Sequence, residues 1–302
     1  LIPYEYTGVR TFESIRLMSE AVTVKAVAAP QALSPKDQAR PLLDVIRERG
    51  SIRVGYYSNT LPYAIRNDSD EVVGYDMEMM HALARDLKID IQLTHLKDRS
   101  MEPQLLADGR VDVTIGGWAI TPVRALDVAF SEAYTHHTVG IIVADAMRES
   151  YGTLAKIDEM KELNLGVPDN AYYTKSVGRF FPNANVIPVS NPRSFFKGKY
   201  PDIDAYVFST ESGSAWAMLY PKYTAVVPKG LKLRAPVGLA LPKGQMDYVQ
   251  FINTWLQLKR DNGYLQKVYT FWILGENPKA KKPRWSVMHD VLGWELISPS
   301  LR

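Results

Sequence analysis

The 302-residue chain contains no cysteine, which excludes a disulfide framework, a thiol nucleophile, a cysteine-ligated zinc and an iron–sulfur cluster. It also lacks any uninterrupted apolar run near the ~18 residues that a membrane span requires. Charge of one sign is scarce: 36 Lys and Arg against 33 Asp and Glu leave a net +3. That balance does not signal nucleic acid, and the basic residues form no stripe interleaved with stacking aromatics. Gly and Pro, 19 each, are ordinary in number, which sets aside collagen-like and low-complexity readings. The opening Leu1-Ile2-Pro3-Tyr4 lacks the charged start, apolar core and small-residue cleavage site of a signal peptide. The sequence therefore reads as a mature form or an excised part of something longer. What is present is globular composition, 46% apolar and 23% charged, on about two domains' worth of chain.

Residues 1–41 read as an arm or linker, with a short helix around Thr11–Met18 and an Ala-, Val- and Pro-rich stretch over Val22–Pro35. Leu42–Arg49 has the pattern of a helix closed by Gly50. Ile52, Val54 and Tyr56 then alternate as a strand. Gly74-Tyr75-Asp76 opens a helix, with Asp76 as candidate cap and Met77, Met80, Ala84 and Leu87 on its apolar face, packing residues rather than a soft-metal set. A strand over Ile89–Leu93, a helix near Met101–Ala107 and a strand over Val111–Ile115 follow. Alternating strands and helices with short connections imply a mostly parallel sheet covered by helices, whose ligands bind beyond the carboxyl ends of the strands.

A second set of alternating elements begins near residue 163. Its strands are Leu163–Val167, Val186–Val189, Ile203–Phe208 and Tyr223–Val227, and its helices Tyr172–Phe181 and Ser212–Tyr220. The chain crosses between the two units near 138–144 and 228–238, before a helix over Met246–Asn262. Lys279–Arg302 adds a basic run and a weakly amphipathic segment.

The most informative stretch is Gly116-Gly117-Trp118-Ala119-Ile120-Thr121-Pro122-Val123-Arg124. Paired glycines at a strand end permit close backbone approach, and Thr121-Pro122 reads as cap plus first helical residue. Exposed amides at such a helix start attract anions. Arg124, one turn in, is poorly placed for the helix dipole. Two readings stay open: a surface pair with Asp127 at i+3, or a guanidinium that grips a carboxylate through paired hydrogen bonds.

Several spaced motifs carry a resemblance: Gly50-Ser51-Ile52-Arg53-Val54-Gly55, Leu61-Pro62-Tyr63, Val73-Gly74-Tyr75-Asp76-Met77, Asp108-Gly109-Arg110-Val111-Asp112-Val113, Ile120-Thr121-Pro122 with Arg124, and Phe130-Ser131 with Tyr134. Asp204-Ala205-Tyr206-Val207 and Leu258-Lys259 through Gly263-Tyr264, Val268-Tyr269 and Trp272 continue them. Together they resemble the type II periplasmic solute-binding proteins, family 3, the amino-acid-binding branch. The resemblance implies a two-lobed α/β Venus-flytrap fold with two mixed sheets and two interlobe crossovers. Lobe 1 would comprise 42–138 and 238–302, and lobe 2 139–237, with the ligand in the cleft between them. It also implies that Arg124 holds the ligand's carboxylate, helped by the backbone at Gly117 and Ala119.

Departures from the family pattern matter as much as the matches. Ala119 stands where the family usually has Ser or Thr, and Ser209 where amino-acid binders usually carry the Asp that pairs with the ligand's ammonium. Glu211, two residues on, either substitutes for that Asp or is an exposed cap of the next helix. The second-lobe anion turn is altered to Asp169-Asn170-Ala171-Tyr172, leaving Asn170 and Tyr172 as candidates. Tyr57 and Thr60 are candidates for the pocket wall, Tyr63 for core, Trp118 for pocket floor or packing, and Arg99 for a second cation facing an acidic ligand or for a solvated charge. The adjacent His136 and His137 would point to opposite faces of a strand and cannot share a metal. No metal or cofactor is expected.

The sequence therefore reads as a binding module, not an enzyme. It would capture a small carboxylate-bearing ligand, an amino acid or organic acid, for transport, as a periplasmic monomer that passes ligand to an ABC permease. A dehydratase of the cyclohexadienyl type shares this fold branch and is the alternative, but Tyr173 stands where its acidic residue would be. The N-terminal arm, Ser212–Pro221 and Pro283–Trp294 further resemble binding domains fused to dicarboxylate/amino-acid:cation symporters, which would tether the full-length protein to the membrane.

Overall fold

The computed structural model describes residues 8–169 and 177–276, with side chains from residue 11 onward. The chain divides into two compact α/β units. One comprises Phe12–His136 and Pro236–Tyr269; the other is built on His137–Ala235 with residues 8–11 and 270–276.

The first unit is organised on a six-stranded mixed sheet. In spatial order its strands are Val24–Ala26, Asp90–Leu96, Ser51–Tyr57, Val113–Ile115, Ala240–Leu241 and Ala129–Phe130. The first four are parallel and the last two pair antiparallel. The expected helix Leu42–Arg49 precedes the central strand, and Gly50, at φ 68°, closes it by donating its amide to Ile46 and Arg47 carbonyls. Alternate residues Ile52, Val54, Ile91, Val113 and Ile115 are buried in the core, as are Met77, Met79 and Met80 of the helix Tyr75–Leu87. Burial of these apolar side chains, worth about 1.5–3 kcal/mol each, drives the packing of helix on sheet.

Three expectations change here. The segment read as an arm joins this unit from Phe12 onward. Phe12 and Ile15 are buried, and Val24–Ala26 adds a parallel edge strand against Ile91–Leu93. The amides of Met18 and Ser19 donate to the buried Glu78 carboxylate, at 2.8 and 2.9 Å, and that of Val22 to His81 Nδ1. The short helix expected over Thr11–Met18 is Gly8–Glu13. Asp76, read as a cap, caps nothing: Gly74 holds that position without a side-chain bond, and Asp76 turns inward.

The second unit has a five-stranded path, Asn185–Val189, Asn164–Pro168, Ala205–Ser209, Thr135–Ala144 and Tyr223–Val226. The first three strands are parallel, and Thr135–Ala144 runs antiparallel to both of its neighbours on this path. Arg234–Val237 also pairs with it. The chain passes between units at Thr11–Phe12, His136–His137, Ala235–Pro236 and Tyr269–Thr270. The helix Thr210–Leu219 is buried along nearly its whole length. Phe196 stacks on Trp216 of this helix and on Tyr220 at its end, and those two rings stack on each other. The expected helix over Tyr172–Phe181 falls partly outside the described residues; 177–180 are helical. The tail from residue 277 lies outside them altogether. Among the described residues no helix is long and apolar enough to cross a membrane.

Candidate functional site

In the first unit the carboxyl ends of three neighbouring parallel strands feed the loops that carry most of the candidate residues. Tyr57 ends Ser51–Tyr57, Arg99 follows Asp90–Leu96, and Gly116 to Ala119 follow Val113–Ile115. The glycine pair is fixed from below. Asp76 Oδ2 accepts the amides of both Gly116 and Gly117 at 2.8 Å, and Oδ1 accepts the Tyr134 hydroxyl at 2.6 Å. Burial lifts the Asp76 carboxyl to about 6, against the opposing pull of these three donors.

This corrects the role read for the glycines. Gly117 has φ +68°, and a Cβ there would lie 2.4 Å from the Tyr63 ring. The close approach that requires glycine is thus by a core tyrosine, and the Gly117 amide is spent on Asp76 rather than offered to a ligand. Tyr63 itself is buried, as its core reading requires.

Beyond the glycines, Thr121 accepts the Arg124 amide at 3.3 Å and caps the short helix Pro122–Ala125. The Arg124 guanidinium folds back, donating from Nη1 to the Ala119 carbonyl at 3.2 Å and from Nη2 to Glu102 Oε2 at 2.8 Å. Its charged carbon sits 5.0 Å from the ring centres of both Trp118 and Phe130, a cation–π arrangement. The ion pair is therefore made with Glu102 and not with Asp127. With 29% of its side chain exposed, Arg124 keeps an edge toward solvent, whereas Glu102 is 8% exposed. The other Glu102 oxygen accepts the buried Thr114 hydroxyl.

Trp118 and Tyr57 meet edge to face at 5.4 Å. Arg99 lies 4.4 Å over the Trp118 ring and 5.5 Å from that of Tyr57. Both aromatic residues are more than nine-tenths buried, yet Tyr57 Oη and Trp118 Nε1 have no hydrogen-bond partner. Two orphaned donors beside two guanidiniums are costly in a folded protein and suit an acceptor-rich ligand. Burial, then the negative charge of Glu102, holds the Tyr57 phenol well above its ordinary range, so it donates at any physiological pH. Thr60 is less available: its hydroxyl donates to the Tyr57 and Ala64 carbonyls.

In the second unit, Ser209 and Glu211 open the helix Thr210–Leu219. Ser209 is its cap, accepting the Ser212 amide at 3.2 Å. Glu211 is not an exposed cap but a buried carboxyl whose two oxygens accept the Thr138 amide at 3.0 and 3.1 Å. Burial raises it to about 7, opposed by those hydrogen bonds. Asn170, Tyr172 and Tyr173 lie outside the described residues. Among the described residues no group of three or more His, Asp or Glu side chains is placed to hold a metal ion.

Sequence reasoning missed Glu102. An acidic residue just before Pro103 at a helix start reads as a complement to the helix dipole. Its partners, 12 and 22 positions away, are brought to it only by the sheet.

The chain is 25% identical over 252 residues to the L-cystine-binding protein TcyJ of Escherichia coli (strain K12), covering 83% of this chain and 93% of that one. It is 22% identical over 246 residues to the ABC transporter glutamine-binding protein GlnH of Bacillus subtilis (strain 168), covering 79% and 86%. Among solved structures, an ancestral amino-acid-binding protein described as a precursor of cyclohexadienyl dehydratase superposes with a TM-score of 0.65 at 22% identity. That likeness covers 76% of this chain and 99% of the ancestral one, and it supports the two-lobed α/β periplasmic binding protein fold. Residues 52–275 match the model of one family, and the chain belongs to it: the bacterial extracellular solute-binding proteins, family 3.

Proposed function

We propose that this protein captures a small carboxylate-bearing solute outside the cytoplasm, an amino acid or organic acid, with Arg124 as the carboxylate grip. The observation that carries the reading is the Arg124 guanidinium, oriented by Ala119 and Glu102 and stacked near Trp118 and Phe130, with one edge toward solvent. Guanidinium forks match carboxylates through two parallel bonds. The unpartnered Tyr57 Oη and Trp118 Nε1 supply further donors, and Arg99 a second positive charge. Ser209, Glu211, Asn170 and Tyr172 are proposed to contribute from the second unit. The named relatives, binding proteins for cystine and glutamine, support an amino acid as ligand and an ABC permease as recipient. A symporter domain in the same polypeptide is the finer reading of the partner, drawn from the arm and tail motifs.

Native mass spectrometry identifies the co-purifying ligand, and titration calorimetry measures its affinity. Arg124→Ala is expected to weaken binding more than tenfold, the ~1.5–3 kcal/mol of a charged hydrogen bond. Unchanged affinity would place the site elsewhere. Turnover of prephenate or arogenate would replace this reading with the dehydratase one.

A further inference from the structure

We infer that the segment Phe12–Ala26 is a strap that regulates the candidate site: seated, it holds the Gly116–Ala119 loop in its binding form, and lifted, it weakens the hold on ligand. The inference rests on the proposed role of Arg124. The strap precedes residues 52–275, the part of the chain matched to the family, so the match carries no account of it.

The strap is built to open locally. Phe12 and Ile15 are its buried side chains, and no residue from Arg16 to Val27 is buried. Hydrogen bonds to the helix Tyr75–Leu87 hold the rest. Glu78 accepts the Met18 and Ser19 amides at 2.8 and 2.9 Å, and the Ser19 hydroxyl as well. His81, one turn on, accepts the Val22 amide at 3.1 Å, and Arg85, a turn further, donates to the Glu20 carbonyl. A segment with few buried apolar contacts opens at well below the cost of global unfolding. The helix beneath it is core, with Met77, Met79 and Met80 fully buried.

The first turn of that helix joins the strap to the site. Its cap position, Gly74, offers no side-chain bond, so tertiary contacts must fix the turn. The Pro62 and Tyr63 carbonyls accept the Tyr75 and Asp76 amides, the strap engages Glu78, and the glycine loop engages Asp76, whose Oδ2 accepts the Gly116 and Gly117 amides at 2.8 Å. Immediately after those glycines come Trp118, whose ring both Arg99 and Arg124 approach, and Ala119, whose carbonyl accepts Arg124 Nη1. Lifting the strap strips three donors from the buried Glu78 carboxylate, which then turns toward water. The same turn of helix carries Asp76, so the glycine amides lose their fixed acceptor and the loop loosens. Seated and lifted are two discrete arrangements of one element, which is what coupling between separated groups requires.

The test is amide hydrogen exchange on the full chain without ligand. Ser19→Pro removes the Ser19 amide and hydroxyl donors together and leaves the helix sequence intact. It should speed exchange at Gly116 and Gly117 about threefold or more, while the amides of the helix Leu42–Arg49 keep their wild-type rates. Exchange that quickens in the strap but not at the two glycines overturns the inference. So does equal quickening everywhere, which is general destabilisation. Ser19→Ala, which removes the hydroxyl donor alone, should give a smaller shift of the same kind and serves if the proline variant does not fold. Titration calorimetry with L-cystine and L-glutamine as probes reads the ligand end. Affinity should fall about threefold or more in Ser19→Pro, and by reciprocity a saturating probe should slow exchange of the Met18, Ser19 and Val22 amides of the wild type by a matching factor. Unchanged affinity in a variant whose glycines exchange faster also overturns the inference. If Arg124→Ala leaves affinity intact, the proposed function fails by itself, and exchange at the glycines still reports on the strap.

Discussion

Glu211→Gln should stabilise this protein at alkaline pH and do little at acidic pH. The Glu211 carboxyl is buried against the Thr138 amide, and burial raises it from an ordinary 4.5 to about 7. A carboxyl raised in the folded state contributes stability that is fully present below its unfolded value, about 4.5, and is lost as pH rises through about 7. The folded protein binds the proton more tightly than the unfolded chain, so the slope of stability with pH is negative across that window. Each tenfold tightening of proton binding corresponds to ~1.4 kcal/mol, so ionising Glu211 costs roughly 3 kcal/mol by pH 8 and about 1 kcal/mol or less at pH 5. Glutamine is a permanently neutral mimic that still offers an oxygen to Thr138. Urea unfolding of wild type and variant at pH 5, 6.5 and 8 should show the variant gaining on the wild type as pH rises, reaching about 3 kcal/mol at the top. A variant no more stable than wild type at pH 8, or an advantage that does not shrink at pH 5, would refute the reasoning.

Three further substitutions separate other features. Tyr57→Phe removes a buried hydroxyl without a partner, so thermal melts of the ligand-free protein should show stability unchanged or raised by about 1 kcal/mol. If that hydroxyl donates to ligand, calorimetry should show affinity falling about fivefold or more in the same variant. Gly117→Ala and Gly50→Ala both place a side chain at φ +68°, but a Cβ at Gly117 meets the Tyr63 ring at 2.4 Å while one at Gly50 meets nothing within 4 Å. The left-handed strain alone costs about 1–2 kcal/mol, so Gly50→Ala should lose about that much in denaturant titration, and Gly117→Ala clearly more.

The fold was largely legible because its signals are local. Alternation at Ile52, Val54 and Tyr56, the methionine spacing after Gly74, and Gly50 at a helix end each describe one element, and each stands where its pattern predicts. Val24–Ala26 was not legible. All three of its residues are exposed, so it has no alternation to read and exists only through backbone pairing with Ile91–Leu93. Asp76 misled for a related reason: an acidic residue at a helix start looks like a cap, and only the loop after Val113–Ile115, some forty positions away, offers the amides it holds instead.

The sequence by itself determined two α/β units, most of the strands and helices in each, and Arg124 as the residue to inspect. It did so because hydrophobic period, turn residues and motif spacing are written in consecutive positions. Tertiary structure alone decided what Arg124 faces. Asp127, its neighbour in sequence, is not its partner; Glu102 is, because parallel strands carry the loops after Leu96 and Ile115 to the same edge of the sheet. The same folding buried Glu211, spent the glycine amides on Asp76 and left the Tyr57 and Trp118 donors unpaired. Electrostatics and desolvation depend on what surrounds a group in space, and no spacing along the chain encodes that.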